Sequence, residues 1–286
     1  MTTAARQASG TDLDVEHLIG LRRNAPGTLA RGLSALPGAF VTRKRGTGQD
    51  AADSRLYVSG DELRHLDRGA TARTGDLHVR TFQEERDRVA ILVADFRPSM
   101  FWGTGRALCA VAAAEVLAIA GWDCADSGGR VGLVAIGGPE AIATPPRART
   151  RGMLGVIGAM VRAFQAARAR LRTHPQDPPL DLALSGLGNV APKGAQVIIA
   201  SDFEQPGLGF EGLVGDLERR RTVSLIHVED RASADLPPGF YPALRQDGAR
   251  VQLEIGRARP PSAREPGRVY VDAGGELEDL AREIRG

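Results

Sequence analysis

Val89-Ala90-Ile91-Leu92-Val93-Ala94-Asp95-Phe96-Arg97-Pro98-Ser99-Met100 is an apolar, partly β-branched run that stops abruptly at a carboxylate. A hydroxyl follows four residues later, and a helix rich in small residues comes next. An unbroken apolar run of this length is a strand buried on both faces, as in parallel sheets covered by helices. In such sheets ligands and metals bind at the carboxyl ends of the strands. Asp95 and Ser99 therefore stand where a site belongs, and Arg97 between them brings a permanent cation into it.

Working outward, Gly105–Gly121 is rich in Ala, Val and Leu on most sides and reads as a buried helix. Arg130–Gly137 is a second strand, and Ala141–Thr144 a short third one before Pro145-Pro146. Arg151–Thr173 is helical and stops near His174-Pro175. Leu180–Asn189 reads as a short helix, and Gln196–Asp202 as another buried strand ending in a carboxylate. Gly212–Arg221 is helical and Thr222–Val228 a strand. Strands alternating with helices imply a parallel sheet with helices on both faces.

Upstream, Asp12 is placed to cap an amphipathic helix that gathers Leu13, His17, Leu18 and Leu21. The stretch from Asn24 to Ala52 is broken by Pro26, Pro37 and several glycines, and its basic run Arg43-Lys44-Arg45 reads as a solvated loop. In the tail, Arg250–Ile255 and Val269–Val271 read as short strands and Gly275–Arg285 as an exposed helix.

The chain has 286 residues, 42% of them hydrophobic, enough for a sizeable core without disulfides or metal. Lys+Arg is 37 against Asp+Glu 35, a net charge of +2. That balance argues against a dominant grip on nucleic acid or anionic membrane. The two cysteines, Cys109 and Cys124, sit in mostly apolar sequence and read as buried reduced thiols. No run of about 18 apolar residues predicts a membrane span, and no apolar leader is seen, so the cytoplasm is the expected location.

Two strands end alike, in Ala94-Asp95 and in Ser201-Asp202, so both carboxylates emerge on one edge of a parallel sheet. Carboxylates and hydroxyls are hard oxygen ligands suited to Mg²⁺ or Mn²⁺. The arrangement resembles the von Willebrand factor A fold and its metal-ion-dependent adhesion site, whose motif is Asp-x-Ser-x-Ser completed by a distant Thr and a distant Asp. Here it reads Asp95-x-Arg97-x-Ser99, with Asp202 matching the distant Asp and Thr150 the best candidate for the Thr. Arg97 in place of the first serine removes a ligand. Its guanidinium is expected to pair with Asp95 and Asp202 and to stand in for the ion, leaving a degenerate metal site of Asp95, Ser99 and Asp202.

A second pattern runs Arg55-Leu56-Tyr57, Gly60-Asp61, Arg64, Leu66-Asp67, then Ala72-Arg73-Thr74. In order and spacing it resembles the signature of domain-of-unknown-function family fifty-eight, and Leu77–Glu85 continues the likeness into the strand ending at Asp95. The likeness is specific over residues 40–140. Arg68 and Gly69 stand where the family usually has Trp and Asn. Membrane-anchored members carry N-terminal spans that are not seen here, which with Arg97 suggests a divergent, soluble member. Read on their own, Asp61, Arg64, Asp67 and Arg73 are opposite charges at short spacing, expected to brace this segment through a polar network.

The expected fold is α/β, a doubly wound, mostly parallel sheet of von Willebrand factor A (Rossmann-like) type. Residues 1–40 form an N-terminal helix and linker, 41–85 the signature segment (Tyr57, Gly60, Asp61, Arg64, Asp67, Arg73), 86–232 the sheet domain, and 233–286 short strands and a helix packed on it. The resemblance implies a non-catalytic adaptor that works with a MoxR-type AAA+ ATPase on an unknown client protein, without nucleic acid. The chain has no Gly-x-x-x-x-Gly-Lys-[Ser/Thr] loop of its own. No resident cofactor is expected, although Mg²⁺ or Mn²⁺ remains possible. One alternative is Mg- or Mn-dependent protein-ligand binding at Asp95, Ser99 and Asp202. A less favoured one is metal-assisted hydrolysis. It needs a base, and His17, His65, His78, His174 and His227 are scattered without ligand spacing.

Overall fold

The strand at the centre of the molecule is Val89–Asp95 (β3), buried along nearly its whole length. It lies between two parallel neighbours, Arg130–Ile136 (β4) and Gln196–Ser201 (β6), in the computed structural model of the protein. The structure describes residues 10–24, 45–58, 66–83, 88–234, 236–244, 250–255, 264–265 and 267–276. The chain divides into two compact units, one of Phe40–Asp87 and one of Met1–Ala39 with Arg88–Gly286.

The larger unit holds a six-stranded sheet in the order β10-β7-β6-β3-β4-β5, where β5 is Ile142–Ala148, β7 Thr222–Glu229 and β10 Arg268–Asp272. All neighbours are parallel except β4 and β5. Counted along the chain within the sheet, this is the doubly wound order 3-2-1-4-5-6, whose crevice opens between the first and fourth strands. Those strands are β3 and β6, the two that end in the paired acids. The tail strand predicted at Val269–Val271 extends this sheet, pairing with β7 from Arg268↔Leu225 to Asp272↔Glu229.

Side chains alternate across the sheet. Leu92, Ala94, Leu133, Ile198 and Ile226 face a core built with helices Cys109–Asp126 (α3) and Arg149–Arg170 (α4). Ile91, Val93, Val197 and Ile199 face the other way, against Leu180–Ala183 (α5), Leu187–Val190 (α6) and Phe210–Glu218 (α7). Helix α3 is buried almost all round, which its alanines permit because they let sheet and helix approach closely. Strand β5 carries Pro145 and Pro146, tolerated because it is the sheet's edge. It runs antiparallel, so it carries the chain back to the amino end of the sheet before α4 begins.

Helix Val15–Gly20 (α1) is capped by Asp14, whose carboxylate accepts from the Glu16 amide, and not by Asp12. Asp12 instead meets the Leu13 amide and lies 3.3 Å from Arg168. Leu13, Leu18 and Leu21 are buried as their spacing predicts. Below them the buried Glu115 of α3 holds His17 and Arg106, each at 2.8 Å. Burial alone would push Glu115 up, but its hydrogen bonds to His17 and Arg106 bring its carboxyl below the usual range.

The smaller unit pairs Arg45–Leu56 (β1) with His78–Gln83 (β2), antiparallel, around helix Arg68–Thr74 (α2). Asp67 caps α2, accepting from the Gly69 and Ala70 amides at 3.0 Å, and Gly75 closes it in the left-handed conformation. Tyr57 donates its amide to the Leu77 carbonyl, and Arg73 is exposed in the last turn of α2. Gly60, Asp61, Arg64 and His65 lie outside the described residues, as does the helix predicted at Gly275–Arg285 beyond Glu276. The last two strands, Gly239–Leu244 (β8) and Arg250–Ile255 (β9), form a separate hairpin. Among the described residues no helix is long and apolar enough to cross a membrane.

Candidate functional site

The end of β3 places the Asp95 carboxylate at the crevice between β3 and β6, fully buried. Two residues on, the Arg97 side chain folds back over it and is also fully buried. Arg97 Nε lies 3.1 and 3.0 Å from the two Asp95 oxygens, and Nη2 is 2.8 Å from Oδ2. The Arg97 amide donates to Asp95 Oδ1 at 2.9 Å. The remaining guanidinium hydrogens go to main-chain carbonyls: Nη1 to Pro178 at 2.9 Å and Gln205 at 3.4 Å, Nη2 to Glu204 at 3.0 Å. All five N–H donors of the group are thus engaged. Burial pulls the guanidinium down, but the Asp95 charge and hydrogen bonds, with Asp177 and Asp202 behind them, leave its pKa raised. It is a permanent cation in the interior.

The other wall comes from β6. Ser201 Oγ donates to Asp95 Oδ2 at 2.6 Å and accepts from the Phe203 amide at 3.0 Å. Asp202 accepts from the Glu204 amide and lies 3.8 Å from Arg97 Nη2. The loop beyond adopts left-handed backbone at Phe203 (φ 53°) and Gln205 (φ 49°). Each such residue costs roughly 1–2 kcal/mol. The alternation turns the Glu204 and Gln205 carbonyls toward Arg97, and burial of the Phe203 ring against Phe210, 5.7 Å away, offsets the strain.

Asp95, Arg97, Ser99 and Asp202 are therefore brought together, and Thr150 is not. Thr150 is exposed in the first turn of α4. That turn follows Ala148, which pairs with Arg130 at the amino end of β4, the opposite edge from Asp95. The antiparallel course of β5 puts it there. The position on the site's own edge belongs to Asp177, which sequence reasoning missed; its carboxylate accepts from the Ser99 amide at 2.9 Å. The signal available was a carboxylate in the proline-stiffened run Gln176-Asp177-Pro178-Pro179.

Burial and the Asp95 charge push Asp202 up to about 6 from 3.8, against the Ser99 hydroxyl, the Glu204 amide and Arg97. The Ser99 hydroxyl is itself buried and makes no well-directed hydrogen bond, so its help to Asp202 is electrostatic. A folded-state value above the ordinary one means that Asp202 favours folding below about pH 4. That contribution is lost as pH rises through 6. Against wild type, Asp202→Asn is expected to gain on the order of 2 kcal/mol between pH 4 and 7 in urea unfolding. Parallel stability curves for the two proteins would contradict this assignment.

A divalent ion does not fit these residues. It would need the lone pairs of Asp95, and the guanidinium already takes them; both charges would share one crevice in a medium that screens poorly. Among the described residues no group of three or more His, Cys, Asp or Glu is placed to hold a metal. The cysteines are free; burial raises both thiols, Cys124 to about 11. His227 is stacked on Tyr270 with ring centres 5.0 Å apart, and burial lowers its pKa. Beside the clamp a cleft of about 810 Å³ opens between Pro98, Asp177, Pro178 and the 137–141 turn.

Uncharacterized proteins of Mycobacterium tuberculosis and Mycobacterium bovis are 28% identical to this chain over 228 residues, covering 72% of it and 68% of their own length. No solved structure matches it. Residues 53–265, a span that contains every residue of the Arg97 clamp, match the family described as Protein of unknown function DUF58, and the chain belongs to that family.

Proposed function

We propose that this chain is a non-catalytic adaptor that acts with a MoxR-type AAA+ ATPase in assembling or activating another protein complex. Its carboxyl-edge loops, built on a von Willebrand factor A-like sheet, are the face it offers. The observation that supports this reading most is the buried Arg97 clamp. The crevice where a doubly wound sheet would seat a ligand is filled by the chain's own guanidinium, which ties the loop at Pro178 to the loop at Glu204 and Gln205. A site closed in this way has no open coordination position and no activated nucleophile. What it has is a rigid edge, and rigid surfaces bind at a lower entropic cost. The missing phosphate loop assigns nucleotide hydrolysis to the partner.

The test is co-purification of the tagged chain with the MoxR-type ATPase encoded in the same genome, with ATP, with ADP and without nucleotide. A stoichiometric complex in at least one state is expected. Its absence in all three would overturn the adaptor reading.

A further inference from the structure

Arg97 does more than fill a crevice. The loops it holds continue directly into a groove on the neighbouring face. Leu180 donates its amide to the Gln205 carbonyl at 2.9 Å, and Asp181 donates to Pro206 at 3.0 Å. Asp181 in turn accepts from the Gly209 amide at 2.8 Å. The start of α5 and the loop leading to α7 are therefore fixed to each other and to the clamp. Between α5–α6 and α7 lies a groove of about 560 Å³, walled by Leu182 and Leu213, with Gly188 and Gly212 leaving it open. A Cβ added at either glycine would meet nothing within 4 Å. At its mouth Leu208 is the most exposed large apolar side chain among the described residues, and Leu182 is also exposed.

The charge around this groove has one sign. Helix α7 carries Glu211, Asp216 and Glu218 and no cation. Asp181 and Asp216 line the groove itself. The Arg221 guanidinium at its far end is turned inward onto the Gly188 and Ala191 carbonyls. An apolar slot with glycine walls and an acidic rim is the complement of a helix with an apolar stripe and basic flanks.

We propose that this groove is the docking site for a basic amphipathic helix of the partner protein, with Leu182 and Leu208 closing on its apolar stripe. The proposal rests on the adaptor reading only for the identity of that partner. The probe is a labelled helical peptide of about four turns with leucine on one face and lysine on the other, beside its glutamate counterpart. Binding is read by fluorescence anisotropy on the full chain. The lysine peptide is expected to bind wild type at least about tenfold more tightly than the glutamate peptide. It is expected to lose about tenfold or more on Gly212→Leu, which fills the groove, and on Leu208→Asp. Gly188→Leu provides a second filling variant, and an unchanged unfolding midpoint certifies each fold.

Equal binding of the lysine peptide to wild type and to well-folded groove variants would overturn the proposal. So would equal binding of the two peptides, or no binding at all. Self-association of wild type in sedimentation that vanishes in Leu208→Asp would also overturn it, assigning the groove to a second copy. If the ATPase co-purifies equally with wild type and Gly212→Leu, the groove proposal fails and the adaptor reading stands. If the peptide binds in the groove while no ATPase complex forms, the reverse holds.

Discussion

The Arg97→Met variant is expected to unfold about 10 °C below wild type, a loss of roughly 3–5 kcal/mol. Methionine keeps much of the side-chain volume, so the loss is electrostatic and not a cavity effect. Asp95 is left fully buried with only the Ser201 hydroxyl and the residue-97 amide as donors. Three carbonyls, at Pro178, Glu204 and Gln205, lose their shared donor. An uncompensated charge in the interior is far more costly than a missing ion pair. The companion variant separates the two. Arg97→Met with Asp95→Leu removes both charges and is expected to recover more than half of the loss, because a buried pair contributes little over an apolar replacement. Thermal unfolding of wild type, the single variants and the double variant measures this coupling directly. Additive losses would mean that Arg97 and Asp95 do not act as a unit.

Gly137→Ala is expected to be at least as damaging, by about 3 kcal/mol or more, or to prevent folding outright. Gly137 ends β4 with φ 108°, outside the range that side chains adopt readily. Its position is the close approach of two strand ends, because the Phe96 amide donates to the Ile136 carbonyl at 2.9 Å. An added Cβ would overlap the Phe96 carbonyl and press on the Arg97 amide, the group that helps to hold Asp95. The two peptides cannot separate without pulling β3 from β4 or opening the clamp. Gly138, the next residue, is the control: a Cβ there comes within 3.3 Å of a single carbonyl, that of Glu140. Gly138→Ala is therefore expected to stay within about 1 kcal/mol of wild type by chemical denaturation. Equal effects at the two positions would contradict the packing described.

The strands of the central sheet are legible because burial on both faces forces long apolar runs. Those runs at 89–95, 130–136 and 196–201 can be little else. The acids at their ends are legible for the same reason, since a carboxylate that stops such a run must sit at the sheet's edge. The course of the chain between strands is harder to read. Pro145 and Pro146 hide the second half of β5, because proline argues against a strand unless its edge position is known. Without that antiparallel strand the direction of α4 is reversed, and Thr150 lands at the wrong end of the sheet. The clamp was half legible. Arg97, Asp95 and Asp202 announce themselves by type and spacing, whereas three of the acceptors are main-chain carbonyls, which every residue has. Their direction is set by left-handed backbone at Phe203 and Gln205, two residue types that give no hint of it. Strand β10 is a short apolar run whose partner, β7, lies 40 residues upstream, and pairing over that distance leaves no local mark.

The central claim is that the guanidinium of Arg97 is the resident cation of the crevice and closes it to metal. Calorimetric titration of the wild-type chain with Mn²⁺ tests this most directly. At neutral pH and up to millimolar metal, no saturable heat is expected, and Asp95→Asn is expected to give the same flat trace. Saturable one-to-one binding that disappears in Asp95→Asn would show that Arg97 leaves the crevice and that a metal takes its place.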